Sequence, residues 1–166
     1  LSCSSLDLLP ARRHNGLNTT DVGGPGMSWG GTVNHWPEGD GKYHMHVSQF
    51  VNHCGFNQWA TNSRVVHAVA DSPDGPFTVK SVVVSVWAHN PAAVRAPGGK
   101  WVLTYVANTS AAAPLWAANC SGGRVLANSS LPADQIPLLQ NNFMVMADSP
   151  YGPWSAPVAI DGPLDA

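Results

Sequence analysis

The chain has 166 residues, with eight Lys or Arg, ten Asp or Glu and a formal net charge of −2 at pH 7. The basic residues are few and scattered, which excludes a partner held through nucleic-acid phosphates, and no apolar run reaches the roughly 18 residues of a membrane-spanning helix. Charged residues make up 11% of the chain, compared with about 25% in an average domain, so turns and packed sheets are favoured over helices.

The first predicted region, residues 1–26, is a loop-like leading segment. It begins with Leu1 and contains no basic stretch followed by an apolar one. We therefore expect an excised segment of a longer chain, in which the missing leader says nothing about export.

Two copies of one unit follow the leading segment. WGGTVNHWPEGDGKYHMHVSQF (29–50) and AHNPAAVRAPGGKWVLTYVAN (88–108) each give a short run, a Pro/Gly turn, Gly-Lys-aromatic and an alternating strand. SRVVHAVADSPDGPFTVKSVVV (63–84) then matches NFMVMADSPYGPWSAPVAI (142–160). Each unit reads strand, turn, strand, long connection, strand, turn, strand.

Tandem four-stranded units predict an all-β fold, a β-propeller fragment made of two antiparallel blades. Blade 1 is expected at 27–86 and blade 2 at 87–166, with a long inserted loop at 109–140. The repeated DSPxGP turn joins the third and fourth strands of each blade. Its Asp71 and Asp148 are predicted to accept local backbone N–H groups, while Gly supplies the permissive φ.

Successive connections of such a blade alternate between its two ends. All the tight turns therefore share one end, and the long connections share the other, which we expect to form the ligand-binding rim. The rim candidates are aromatic or neutral hydrogen-bonding residues, and each alone is equally suited to tethering a loop. They are Trp29, Asn34, Asn52, His53, Trp59, Asn62, Trp87, His89 and Asn90. Trp rings beside amide and imidazole groups suit a polyhydroxylated ligand such as a sugar.

Histidines and cysteines give no metal or cofactor prediction. His44 and His46 lie on one side of a strand but have no third ligand, and His67 is predicted to be a satisfied interior histidine. The odd set Cys3, Cys54 and Cys120 indicates neither a zinc site nor a disulfide framework. We predict no cofactor; a structural cation such as calcium in the central channel is compatible with a propeller, but no residue pattern indicates one.

Glycosylation sequons suggest where the protein acts. Four N-x-S/T sequons begin at Asn18, Asn108, Asn119 and Asn128, in loop-like sequence. They favour a secreted protein.

HNPAAVRAPGGKWVLTYVA and VVHAVADSPDGPF resemble the blade repeats of five-bladed propeller glycoside hydrolases, especially family 43. The resemblance covers about residues 29–160 and implies the first two of five blades, with the remaining blades of the parent chain as partners. It also implies an inverting mechanism with a general base opening the first blade, a pKa-tuning Asp opening the second and a Glu acid in the third. The base position falls at Gly30–Gly31 and the tuning position at Asn90, which cannot ionise.

Some galactan-cleaving relatives have D-x-D-G…H-G-G at the start of the first blade. DVGGPGMSWGG (21–31) is similar to that pattern, with Trp29 where the His would be. The resemblance therefore leaves Asp21 or a residue of a later blade as an alternative base.

The expected function is that of a glycoside hydrolase-like propeller acting on plant or algal polysaccharide of the arabinan, xylan or galactan class. The segment alone is expected to be inactive. The alternative is a non-catalytic carbohydrate-binding propeller that has lost its acidic residues, and a purely structural repeat array is a third possibility.

Overall fold

Two antiparallel sheets dominate the computed structural model, which describes residues 17–18, 27–108, 117–126 and 140–160. The strands are β1 (Leu17–Asn18), β2 (Ser28–His35), β3 (Tyr43–Phe50), β4 (Ser63–Ala70), β5 (Phe77–Val84), β6 (Ala88–Arg95), β7 (Trp101–Asn108), β8 (Cys120–Ser121), β9 (Arg124–Val125), β10 (Gln140–Ala147) and β11 (Val158–Ala159). A 3-10 turn at Phe56–Gln58 and the four-residue helix α1 (Trp59–Asn62) lie between β3 and β4.

Sheet topology follows the repeat. The first sheet has the order β1-β5-β4-β3-β2, in which β2 to β5 are antiparallel and β1 pairs with β5 in parallel. The second has the order β11-β10-β7-β6 and is antiparallel throughout, while β8 and β9 form a small hairpin inside the long insertion. The predicted all-β class with two four-stranded antiparallel units is confirmed. No helix within the described ranges is long and apolar enough to cross a bilayer.

The two sheets pack face to face with the first strands of both units, β2 and β6, in contact. An apolar cluster between the sheets contains Val65, Ala88, Ala93, Leu103, Tyr105 and Val145. A second core lies on the other face of the first sheet, where Leu17 of β1 packs with Val47, Val66 and Phe77. Because β2 and β6 are neighbours and the two sheets stack, the equivalent ends of the two units lie together.

The repeated turns are alike in both copies, but their aspartates act differently from the prediction. Asp71 Oδ1 pairs with Lys42 Nζ at 2.7 Å, and Asp148 Oδ1 pairs with Lys100 Nζ at 2.5 Å. Each lysine belongs to the Gly-Lys turn at the start of the second strand. The carboxylates therefore join two turns of the same sheet, which corrects the prediction that they accept local backbone N–H groups.

In these turns serine hydroxyls, rather than the aspartates, accept the local backbone N–H groups. Ser72 Oγ accepts the N–H of Asp74 at 3.3 Å, and Ser149 Oγ accepts the N–H of Tyr151 at 3.2 Å. Serine forms such short-range bonds in turns much as aspartate does. The Gly that follows has a positive φ in both copies, as predicted.

Candidate functional site

Three aromatic rings from both units meet at the end where the long connections lie. Trp29 is the second residue of β2, Trp59 begins α1 and His89 is the second residue of β6. The Trp29 and His89 rings stack with centroids 5.4 Å apart and planes at 24°. Trp59 contacts both edge-on, with centroids 6.4 Å from Trp29 and 5.0 Å from His89. Three elements that are far apart in the sequence thus build one aromatic wall.

Trp29 is held in place from several sides. Its Nε1–H donates to Ser63 Oγ at 3.1 Å, and its ring stacks on Phe50 with centroids 6.4 Å apart. Phe56, 54% exposed, meets it edge-on at 5.2 Å. The rim therefore contains a fixed indole with a solvent-facing phenyl ring beside it.

His89 is a neutral, buried member of this wall. It is only 3% exposed, and neither ring nitrogen has a hydrogen-bond partner of good geometry among the described residues. Burial lowers the pKa of His89, and an interaction with the Gln140 side chain raises it by less. The imidazole therefore stays uncharged near neutral pH and acts as a flat packing surface for Trp29.

Asn90 and Gly30 lie side by side where the two sheets meet. Both have left-handed backbones, with φ of 51° and 53°. The Asn90 N–H donates to Ser48 Oγ at 3.0 Å, while its side chain is exposed. A Cβ at position 30 would lie 3.0 Å from Asn90 Oδ1. The positions at which the resemblance implies two carboxylates are thus neighbours, and one amide fills the space between them.

Asn52 and His53 hold the inserted hairpin of the second unit. Both are exposed and left-handed, with φ of 56° and 57°. Asn52 Nδ2 donates to the Ala118 carbonyl at 3.1 Å, and the Asn52 carbonyl accepts the Cys120 N–H at 3.1 Å. The His53 carbonyl accepts the Gly123 N–H at 3.2 Å. Their backbones are therefore occupied by the hairpin, which leaves the His53 ring at the surface.

A disulfide that the sequence did not reveal fixes the same hairpin. Cys54 and Cys120 are bonded with their Cα atoms 4.9 Å apart, across 66 residues of sequence. Cys3, which made the count odd, lies outside the described residues. The prediction that no disulfide framework follows is therefore wrong for this pair. Buried Asn62 forms two hydrogen bonds with Ala118, two residues before Cys120, and so helps to hold the bridge in place.

Two other residues that the sequence predicts to bind a ligand have structural roles, and the residue predicted as an alternative base lies outside the described part of the chain. Asn34 Nδ2 donates to the Ala93 carbonyl at 3.0 Å, which joins β2 to β6. Trp87 is 3% exposed with φ of 70°, and its carbonyl accepts the Asn108 N–H at 3.2 Å. Asp21 lies outside the described residues. A ligand role for any of them stays a prediction.

Acidic residues are separated from the aromatic wall. Every Asp and Glu in the described part of the chain lies in a tight turn at the other end of the sheets: Glu38, Asp40, Asp71, Asp74 and Asp148. Within the same residues, no three His, Cys, Asp or Glu side chains are grouped so that they could hold a metal ion. The described part of the rim therefore contains no carboxylate, and its charged side chains are Arg64 of β4 and Arg124 of β9.

Comparisons with known proteins gave structural similarity only. No protein-family model and no curated protein matches the chain. Its structure is similar to a glycoside hydrolase family 43 β-xylosidase/α-arabinofuranosidase from a compost microbial metagenome in complex with xylotriose, at 15% identity and a TM-score of 0.48, over 79% of this chain and 34% of that one.

Two further solved structures are similar in the same way. A family 43 enzyme from Xanthomonas citri is 14% identical with a TM-score of 0.46, over 83% of this chain and 33% of that one. An endo-1,4-β-xylanase from Bacteroides thetaiotaomicron VPI-5482 is 16% identical with a TM-score of 0.43, over 92% and 60%. The chain thus spans about a third of the length of the first two proteins.

Proposed function

We propose that this chain is part of a secreted glycoside hydrolase-like propeller that acts on plant or algal polysaccharide of the arabinan, xylan or galactan class. The observation that carries the proposal is the aromatic wall of Trp29, Trp59 and His89, with the exposed amide of Asn90 beside it. Further blades of the parent chain complete the cleft.

The wall suits a sugar because its parts match the two surfaces of a pyranose or furanose ring. The half-buried Trp59 and the exposed Phe56 offer flat apolar faces to the C–H side of the ring. Asn90 and His53 offer hydrogen-bonding side chains to hydroxyl groups. The packing of His89 and Phe50 against Trp29 keeps this platform rigid before a ligand arrives.

The catalytic carboxyl groups must come from outside the described residues. Inverting hydrolysis uses two carboxyl groups about 6.5–9.5 Å apart on either side of the bond that is cleaved. The acids of the described residues all lie at the opposite end of the sheets. We therefore assign the described rim to substrate binding, Asn90 to the position next to the reacting centre, and the base to Asp21 or a later blade.

A non-catalytic carbohydrate-binding propeller is the second candidate function. The observation that favours it is the pairing of Gly30 with Asn90, which puts no ionisable side chain where the resemblance implies two. An amide filling that space supports binding without proton transfer.

The oxidised pair Cys54–Cys120 supports the proposal of secretion. Structural disulfides persist mainly outside the reducing cytosol. The four sequons agree with that compartment.

Reducing-end release from arabinan, xylan and galactan tests the enzyme against the binding module. The measurement uses the full-length parent and its Asp21→Asn and Asn90→Ala variants, together with binding of the same polysaccharides. Hydrolysis that is lost in Asp21→Asn while binding remains supports the hydrolase with Asp21 as base. Binding without release, weakened by Asn90→Ala, supports the second candidate, and neither binding nor release contradicts both.

A further inference from the structure

Three fully buried histidines form a row on the face of the first sheet that is covered by the second sheet. His44 and His46 come from β3, and His67 comes from β4. The His46 and His67 rings stack with centroids 4.8 Å apart, and the His44 and His67 rings are parallel with centroids 5.2 Å apart. Three imidazoles in contact inside a seam between sheets require an explanation, because each becomes a buried cation if it binds a proton.

Hydrogen bonds fix where the protons lie in this row. His44 Nε2 is 3.0 Å from Asp40 Oδ1, so the Nε2–H donates to the carboxylate. In the tautomer in which His44 carries a single proton, its Nδ1 accepts the Nε2–H of His67, 3.0 Å away. His67 Nδ1 is then a bare acceptor that is buried and has no partner.

The turn of the second unit closes over one end of the row. The Tyr151 hydroxyl donates to Asp40 Oδ2 at 2.7 Å. Its ring meets His44 and His67 edge-on, with centroids 5.1 and 5.0 Å away. One residue of the second turn thus contacts the carboxylate and two of the three imidazoles.

The other end of the row is closed in the same way. His46 Nε2–H donates to the Pro150 carbonyl at 3.3 Å, while Trp154 meets the ring edge-on with centroids 5.5 Å apart. His46 Nδ1 is buried without a partner, like His67 Nδ1. The seam therefore accommodates only the neutral form of both rings.

The histidines are not a requirement of the repeat. With Lys42 aligned to Lys100 and Asp71 to Asp148, the equivalents of His44, His46 and His67 in the second sheet are Val102, Thr104 and Met144. The first unit likewise has Asp74 where the second has Tyr151. The histidines on one sheet and Tyr151 on the other are thus specific to this seam.

Electrostatics agree with the geometry. Burial lowers the pKa of His46 to about 4, although the bond to Pro150 acts in the opposite direction. Burial and the other two histidines lower the pKa of His67 to about 3. The charged and titratable groups that act on the row are Asp40 and Tyr151 from the turns and Lys80 from β5. Lys80 adds to the cost of a proton on His67, and Asp40 opposes it only in part.

We propose that His44, His46 and His67, closed by Asp40 and Tyr151, are an acid-operated latch between the two sheets. At neutral pH the uncharged rings of His46 and His67 hold the second turn against the first sheet. When His46 or His67 binds a proton at its bare Nδ1, the new N–H has no acceptor and the new charge has no free carboxylate. The contact is relieved when Tyr151 and Trp154 move away and water reaches the rings.

The sign of the effect follows from linkage. The closed seam binds these protons less readily than the open one, so acid favours the open form below the ordinary histidine pKa of 6.5. With a pKa of about 4 when closed, His46 alone makes opening about 20-fold more favourable at pH 5 than at pH 7. His67 acts in the same direction.

Hydrogen exchange of the full chain at pH 7 and pH 5, corrected for the intrinsic exchange rate, tests the latch. We expect peptides covering 148–154 and 43–50 to open at least tenfold more at pH 5 in the wild type. The His46→Gln/His67→Gln double variant loses most of this increase, and His35→Gln, at an exposed histidine, keeps it. Equal pH dependence in the wild type and the double variant overturns the proposal.

A second measurement applies if the double variant does not fold. NMR titration of the wild-type imidazoles reports each protonation state directly. We expect His46 and His67 to stay neutral to below pH 5 and then to titrate together with changes in the Tyr151 ring signals. Titration near pH 6.5 with the Tyr151 signals unchanged overturns the latch.

Discussion

The side-chain amide of Asn62 and the backbone of Ala118 exchange two hydrogen bonds. Asn62 Nδ2 donates to the Ala118 carbonyl at 2.8 Å, and the Ala118 N–H donates to Asn62 Oδ1 at 3.1 Å. Asn62 is fully buried at the end of α1, so a side chain of the first unit replaces a strand partner for the insertion of the second. The described part of the insertion, residues 117–126, is thus part of the rim.

Asn62→Ala should destabilise the chain strongly. The substitution leaves the Ala118 N–H without its acceptor, while the Ala118 carbonyl keeps the bond from Asn52 Nδ2. We expect the free energy of unfolding to fall by about 1–3 kcal/mol. Urea denaturation measures the change. Asn142→Ala, at an exposed asparagine of β10, is the matched control and should change the value by less than about 0.5 kcal/mol. Equal effects of the two variants would contradict the assigned role of Asn62.

Reduction of Cys54–Cys120 should loosen the rim. The bridge closes a long loop, so dithiothreitol should lower the free energy of unfolding by about 2–4 kcal/mol. The Cys54→Ser/Cys120→Ser variant should already have the lower stability and should not respond to reductant. Thiol titration of the unfolded, unreduced chain should find one free cysteine. Three free thiols in protein purified under oxidising conditions would show that the bridge does not form.

Gly31→Ala should be far more damaging than Gly98→Ala. A Cβ at Gly31 would collide with the His46 carbonyl and would lie 2.9 Å from Val47 Cα, so β2 could not pair with β3 at its start. Gly98 lies in a tight turn with nothing within 4 Å of the added atom. We expect a loss of more than about 2 kcal/mol in the first variant and less than about 0.5 kcal/mol in the second. Thermal unfolding that ranks them equally would contradict the strand register.

The outer face of the second sheet should cause self-association. Cross-strand pairing puts Val94, Val102 and Met146 on one face, and Val94 and Met146 are 54% and 43% exposed. The equivalent face of the first sheet is covered by the second sheet. Sedimentation velocity should show concentration-dependent association that Met146→Lys weakens and that Ser85→Lys, at an exposed loop residue, does not. A wild type that stays monomeric at every concentration would contradict this expectation.

The repeat made most of the fold predictable from the sequence. Turns rich in Gly and Pro recur at matching places, and the alternating runs between them became eight antiparallel strands. The shared rim followed from strand alternation alone, and the structure brings together Trp29, Trp59 and His89 there.

The contacts between the two units could not be predicted from the sequence. Cys54 and Cys120 are 66 residues apart, and neither their spacing nor an odd cysteine count shows which loops meet. Tyr151 occupies the variable position of the repeated turn, so nothing in the sequence indicated its contact with Asp40. His67 was expected to be satisfied, but only its Nε2 has a partner. Such contacts depend on the packing of one sheet on the other.

Affinity electrophoresis in gels containing arabinan, xylan or galactan tests the carbohydrate-binding rim most directly. The wild type should be retarded by at least one polysaccharide. Trp36→Ala is the control and should be retarded equally, because Trp36 packs against His44 and Trp101 at the turn end and not at the rim. Trp59→Ala should lose about tenfold or more in affinity, since it removes one face of the aromatic wall. Migration unaffected by all three polysaccharides, or equal retardation of Trp59→Ala and the wild type, would contradict the account.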